Sequence, residues 1–407
     1  MRREIYGGKG NAGTFKKERL THGCTCNEKN QFKCFKTTTK FIILLISAIF
    51  ILSNTNPILL GVNIEFLGKM EISQSPLPDV WDFCVTDDEM VIIPDYRAGN
   101  LKIYGKIIDN EKESLRQEKI IGQRGYGPDE FLRPTLCYYD EVGEKLAVMD
   151  HGIRKILIYD RIGRTYFKRV QEIACWRGAF DIQLTGERLF ISGYASDSEK
   201  RNYDFYYVDL INEETTYLLP SYLKFGLKSS LEFEKKVIEA DEISAIGLKG
   251  LFALHKDVAY FLWEGNLKVI KLNILSGNIE QKTFGKQPPH YIKPFVSNKL
   301  VEYYRMDKKL ELNKSEKAKM SYVRDIFVND RYVMIIYEGP VKQNNASNFR
   351  IQFYTLDGDF IKEEFMSETP THKMWFDKNK SILYFLSCKT GGESGQSYSI
   401  LKYQIHE

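Results

Sequence analysis

Apolar and polar residues alternate along this chain with the period of strands rather than helices. The stretch 136–173 shows the unit. Apolar runs at 136–139, 145–149, 155–159 and 166–173 are separated by the turn sequences Glu141-Val-Gly-Glu144, Asp150-His-Gly152 and Asp160-Arg-Ile-Gly163. Four short strands joined by tight turns over about forty residues make one blade of a β-propeller. No long apolar stretch repeats every 3.6 residues, so a helical fold is not expected.

The same rhythm runs through the rest of the chain. It predicts strands at 80–86, 89–94, 100–104 and 117–121, with a solvated loop at 109–116. A third set falls at 179–184, 188–193, 204–210 and 215–219. A fourth falls at 250–255, 258–263, 266–273 and 278–284, its last turn made by Ser276-Gly277. The fifth is 322–328, 332–337, 349–356 and 360–365, with Asp357-Gly358 as a hairpin turn. A last set, 373–376, 381–387 and 397–405, has three strands of its own. The lone strand at 64–73 supplies its fourth and closes the ring, which removes an open sheet edge. The expectation is an all-β, six-bladed β-propeller over residues 63–407. Charged stretches near 221–245 and 286–321 break the rhythm as insertions, of the kind that either shape a binding face or decorate the surface.

One loop is unlike the others. Gly122, Gly125 and Gly127 permit tight backbone, Pro128 fixes a φ, and Glu130, Phe131 and Pro134 follow. The string Gly122-x-x-Gly125-x-Gly127-Pro128-Asp129-Glu130-Phe131-x-x-Pro134, then Val148-Met-Asp150, then Arg154, Tyr159-Asp160 and Gly163, resembles an NHL-type repeat. More closely, it resembles the TolB-like six-bladed propellers of bacterial envelope proteins. The resemblance covers about forty residues. It implies an envelope location and a structural role for this loop, with the Glu130 carboxylate accepting backbone hydrogen bonds that pin it.

The amino-terminal region is of a different kind. Residues 1–40 hold ten Lys or Arg against three Glu, a net +7, so the remainder carries −3 of the overall +4. They read as a basic, disordered tail. An apolar run at 41–52 continues after a mildly polar break to residue 62. The segment 41–62 reads as a signal anchor or a cleaved signal peptide, with basic residues on the cytoplasmic side. Unlike many TolB-like relatives, the run is not followed by a lipid-bearing cysteine. Either reading puts the propeller outside the cytoplasm, membrane-anchored in the bacterial cell envelope or secreted and periplasmic. The acidic balance of residues after 40 argues against nucleic acid as a partner.

No H-E-x-x-H, G-x-S-x-G or P-loop is present, and His151, His255, His290 and His372 are scattered. No catalytic or metal-ligating residue is assigned, and no cofactor, although an axial calcium suits some propellers of this shape. The acid pairs Asp87-Asp88, Asp129-Glu130 and Glu363-Glu364 read as solvated turns. Cys84 and Cys137 hold similar positions in adjacent blades, with free buried thiols the expected state. Candidate ligand-binding residues are Arg124, Tyr126 and Arg133 beside the glycine loop, His151, and the pair Trp176 and Arg177. Exposed Trp and Arg suit sugars, peptides or anionic groups. The expected function is a non-catalytic envelope module recognising a peptide, protein or glycan through one propeller face. The alternative is a channel-centred lyase or calcium-dependent hydrolase.

Overall fold

A computed structural model of the chain describes residues 62–406 except 74–79, 110–111, 176–177, 200–201, 221–248, 277–278, 292–320, 341–347, 367–372 and 392–394. All described residues belong to one compact unit, residues 61–407. It is all-β. Strand β1 (Asn63–Ser73) is followed by β2 (Cys84–Val85), β3 (Val91–Asp95), β4 (Asn100–Asp109) and β5 (Lys112–Ile121). The second group is β6 (Pro134–Asp140), β7 (Lys145–Asp150), β8 (Lys155–Gly163) and β9 (Tyr166–Ala174), and the third is β10 (Ala179–Thr185), β11 (Arg188–Ser196), β12 (Asn202–Asp209) and β13 (Thr215–Pro220). Then come β14 (Gly250–His255), β15 (Val258–Trp263), β16 (Val269–Asn273) and β17 (Ile279–Phe284), and β18 (Tyr322–Val328), β19 (Tyr332–Gly339), β20 (Asn348–Thr355) and β21 (Phe360–Phe365). The last three are β22 (Met374–Asp377), β23 (Ile382–Gly391) and β24 (Gly395–His406).

The second to fifth groups each form a four-stranded sheet in chain order, and the remaining strands form one eight-stranded sheet, β2-β3-β4-β5-β1-β24-β23-β22. Within it β1 is antiparallel to β24, with Asn63 opposite His406, and parallel to β5, with Ile72 opposite Leu115. The first strands of successive groups are neighbours from β2 to β18, Phe327 of β18 meets Phe376 of β22 with ring centroids 5.8 Å apart, and β2 also meets β22. Apolar clusters fill the gaps between successive groups, and two of them tie the last group to the first and to the fifth. The result is a propeller-like ring. Burial follows from this geometry. Inner strands are flanked on both faces, so β3 is buried at every position, whereas the outer strand β9 alternates and β21 has no fully buried position.

Two expectations are corrected. Residues 109–116 are not a solvated loop: β4 and β5 run on as a hairpin to the pair Asp109 and Lys112. Lys106 bridges Glu89 at 3.0 Å and Glu113 at 2.5 Å, and β1 covers the far edge of β5, so charged residues stay in the ladder. Nor is Glu363-Glu364 a solvated turn: both residues lie in β21, and Glu363 accepts bonds from Tyr337, Arg350 and Gln352. Asp87 and Asp88 do form an exposed turn, and both carboxylates take Arg161 of β8 at 2.8 Å. Cys84 and Cys137 are free, buried thiols. The segments 1–40 and 41–62 lie outside the described residues but for Val62, as does most of both insertions. Among the described residues no helix is long and apolar enough to cross a membrane.

Candidate functional site

The chain steps outward through antiparallel strands. A link from one outer strand to the next inner strand therefore leaves from the same face as the turn between second and third strands. The glycine loop, the 96–99 turn and the flanks of both insertions share this link face. On the opposite face, Lys378 Nζ donates to Leu254 O at 2.8 Å and Asn379 Nδ2 to Glu141 at 2.5 Å, which crosses the end of the axis.

Where the inner strands begin on the link face, four charged side chains converge. Asp82 precedes β2, Asp181 lies in β10, Asp325 in β18, and Lys373 precedes β22. The three carboxylates are buried, and Lys373 Nζ reaches Asp181 Oδ1 at 2.7 Å between sheets that are not neighbours in chain order. Each carboxylate also accepts a backbone N–H: Cys137 onto Asp82 at 3.0 Å, Ile182 onto Asp181 at 3.1 Å, Ile326 onto Asp325 at 3.0 Å. Burial pushes Asp82 up to about 6 against the pull of Lys373 and the Cys137 N–H. Burial raises Asp325 as well, again opposed by Lys373. Burial works against the Lys373 ammonium, but Asp181, Asp82 and Asp325 together hold its pKa above the usual lysine value. Three buried acids thus share one cation.

The glycine loop joins β5 to β6 on the same face as this cluster. Buried Asp150, at the end of β7, holds it down: its carboxylate accepts Leu132 N at 2.7 Å and Arg133 N at 2.9 Å, and also Gly152 N at 2.8 Å in its own turn. Glu130 holds the tip, accepting Gln123 Nε2 at 2.6 Å and Gly127 N at 2.7 Å. Those two donors keep its carboxyl below the usual range. The Glu130 carboxylate fills the space where Gly125 would carry a side chain, which explains the glycine there.

The loop in turn seats the 96–99 turn. Gly99 has φ +64°, and a Cβ on it would lie 2.6 Å from Phe131 O. Asp95 caps the turn by accepting Arg97 N at 3.1 Å and Ala98 N at 2.9 Å, and pairs with Lys102 at 2.8 Å. Tyr96 is thereby fixed between two partners. Trp81 stacks on it with centroids 5.9 Å apart, and the Arg133 guanidinium lies 5.7 Å over the ring. Trp81 is 54% exposed although it sits next to buried Asp82. Gly99→Ala should cost about 2 kcal/mol in urea unfolding, because both φ and close backbone oppose a side chain.

Of the residues expected from sequence, Arg133 and His151 come together. His151 N donates to Arg133 O at 3.0 Å, and its Nδ1 lies 2.5 Å from Thr135 Oγ1. Partial desolvation lowers the pKa of the His151 imidazole. Tyr126 stands at the loop tip, 84% exposed, and Arg124 pairs with Phe131 through the backbone beneath Gly99. Trp176 and Arg177 lie outside the described residues. Sequence reading missed Trp81, Tyr96 and the axial cluster. A signal was there: Asp82-Phe-Cys-Val, Asp181-Ile-Gln-Leu, Asp325-Ile-Phe-Val and Lys373-Met-Trp-Phe each open an inner apolar run with a charge. Among the described residues, no group of three or more His, Cys, Asp or Glu is arranged to hold a metal ion.

No family model matches the sequence, and no curated protein does. The fold is similar to that of a member of the DUF4221 family from Bacteroides vulgatus, at 10% identity over 85% of this chain and 99% of that one, with a TM-score of 0.56. It is also similar to a candidate exported protein from Bacteroides fragilis, at 12% identity over 84% of this chain and 96% of that one, with a TM-score of 0.52. These likenesses show the fold alone. A virginiamycin B lyase from Staphylococcus aureus aligns at 11% identity over 85% of this chain and 100% of that one, but its TM-score of 0.41 is too low to carry an argument.

Proposed function

We propose that this chain is an exported, six-bladed propeller of the bacterial cell envelope that binds a peptide, protein or glycan at its link-face mouth. The six blades are the four separate sheets plus the two halves of the eight-stranded sheet, divided at the parallel β5–β1 pairing. The TolB-like and NHL-type resemblance of the glycine loop belongs to this reading, as does attachment to the membrane through residues 41–62. The observation that carries the binding role is the exposed Trp81 stacked on Tyr96 under Arg133, at the rim of the axial charge cluster. A solvent-facing indole held flat by a second ring and a guanidinium is a platform for sugar faces and for peptide side chains.

Trp81 fluorescence and calorimetry on the full chain, titrated with glycan and peptide libraries, test this. A ligand should perturb the indole, and Trp81→Ala should weaken its binding about tenfold or more. Unchanged affinity in Trp81→Ala would refute the platform. The channel-centred lyase or calcium-dependent hydrolase remains a second reading, favoured by a buried carboxyl titrating near 6 beside Lys373. Turnover that Asp82→Asn abolishes while binding persists would establish it, and loss of that turnover in EDTA with recovery in calcium would add the metal.

A further inference from the structure

Away from the mouth, a cleft of about 450 Å³ opens between the second and third sheets. Blades of a ring diverge outward, so apolar side chains must grow or leave space. Here Ile173, Cys175, Tyr206 and Val208 close the inner part of the gap, and the outer part stays open. Tyr206 with Val208 and Thr215 with Tyr217 are spaced two apart along β12 and β13, which turns them to the same side of the third sheet.

The rings of the cleft are held in place. Tyr217 OH donates to Ser196 O at 3.1 Å, and Tyr203 stacks against Tyr217 with centroids 4.5 Å apart. Tyr206 OH lies 3.8 Å from Cys175 Sγ, and Tyr194 meets Phe180 edge-on at 5.1 Å. Glu172 and Glu213 line the cleft, and no Lys or Arg does among the described residues. Glu172 is held by Lys155 at 2.5 Å, but the partner of Glu213 is the neutral amide of Gln171 at 3.1 Å. Three tyrosine rings and a carboxylate with no cationic partner among the described residues line this one cleft, a combination that suits an organic cation, because ring faces and carboxylate both attract positive charge while the rings cover methyl groups.

We propose that this cleft is a second binding site, separate from the axial mouth, for a small organic ammonium ion. Its charge lies toward Glu213 and its alkyl groups lie against Tyr194, Tyr206 and Tyr217. The test is calorimetric titration of the full chain with choline and with its neutral isostere 3,3-dimethylbutan-1-ol. Choline should bind saturably and the isostere about tenfold more weakly or worse. Glu213→Gln should lose about tenfold in choline affinity, and Thr215→Trp, which fills the cleft from an exposed position, should abolish binding while its urea midpoint holds. Equal binding of the two probes overturns the proposal, as does no saturable choline binding, or choline binding untouched by both variants. Loss in Asp325→Asn but not in Glu213→Gln also overturns it, by moving the site to the axis.

Discussion

Asp82→Asn should stabilise the folded chain by about 3 kcal/mol near pH 7.5 and by almost nothing near pH 4. Asp82 is buried, and its folded pKa is raised from 3.8 to about 6 by desolvation, which Lys373 and the Cys137 N–H offset only in part. Between those two values the folded state holds a proton that the unfolded state has released. Stability from this group is therefore present at low pH, falls as pH rises through about 6, and stays lost above it. Asparagine resembles the protonated acid: it keeps an oxygen for the Cys137 N–H and carries no charge. Urea unfolding of both proteins across this pH range gives the difference curve, which carries the titration of Asp82 together with its coupling to Asp325 and Lys373. A flat difference, or a variant less stable at neutral pH, would mean that Asp82 is charged at little cost and that the attraction to Lys373 prevails.

The second large effect is at Asp150. Asp150→Ala should cost about 4 kcal/mol, because it removes a buried carboxylate and strands the N–H groups of Leu132, Arg133 and Gly152 on a half-buried loop and turn. Asp150→Asn should cost about half as much, since one oxygen still accepts on its own side and the amide faces the remaining donors. The loss extends to function. Arg133 reaches Tyr96 only while the loop is held down, so ligand affinity at the mouth should fall with stability, unlike in Trp81→Ala, where affinity alone should fall. Urea midpoints and titrations on the same samples separate the two. An Asp150→Ala variant with wild-type stability would show that Glu130 and the close packing at Gly99 suffice to seat the loop.

Much of the ring was legible because its turns are chemically explicit. The strands read at 250–255 and 258–263 coincide with β14 and β15, and the pair Asp357-Gly358 does form the turn between β20 and β21. The strand read at 80–86 shrinks to Cys84–Val85. Pattern alone did not reveal that the Asp82 carboxylate takes a backbone donor from the next sheet instead of a ladder partner. The axial cluster escaped for a related reason. A single Asp inside each of several apolar strands looks like noise until the strands are set side by side, and only the ring brings them to one level. Trp81 lies ahead of β2 and Tyr96 in the β3–β4 turn, and their stacking depends on a capped turn and a left-handed glycine that spacing does not disclose. The Asp109–Arg116 stretch misled in the opposite sense: its charges read as solvent, but ion pairs and a covering strand keep them in the sheet.

The placement of β1 has a kinetic consequence. Its antiparallel partner β24 lies at the other end of the described chain, whereas every other antiparallel neighbour in the sheets is close in sequence. Hairpins of the kind that build the four-stranded sheets form early, because their loops are short. The seam must wait until nearly the whole chain is available and then close over the longest loop in the fold. Until it does, the free edges of β5 and β24 face each other with unpaired backbone groups, ready to accept any strand of suitable register. A ring held at that stage at high concentration can take β1 from a neighbouring copy as readily as its own, so strand exchange is the misassembly this topology invites.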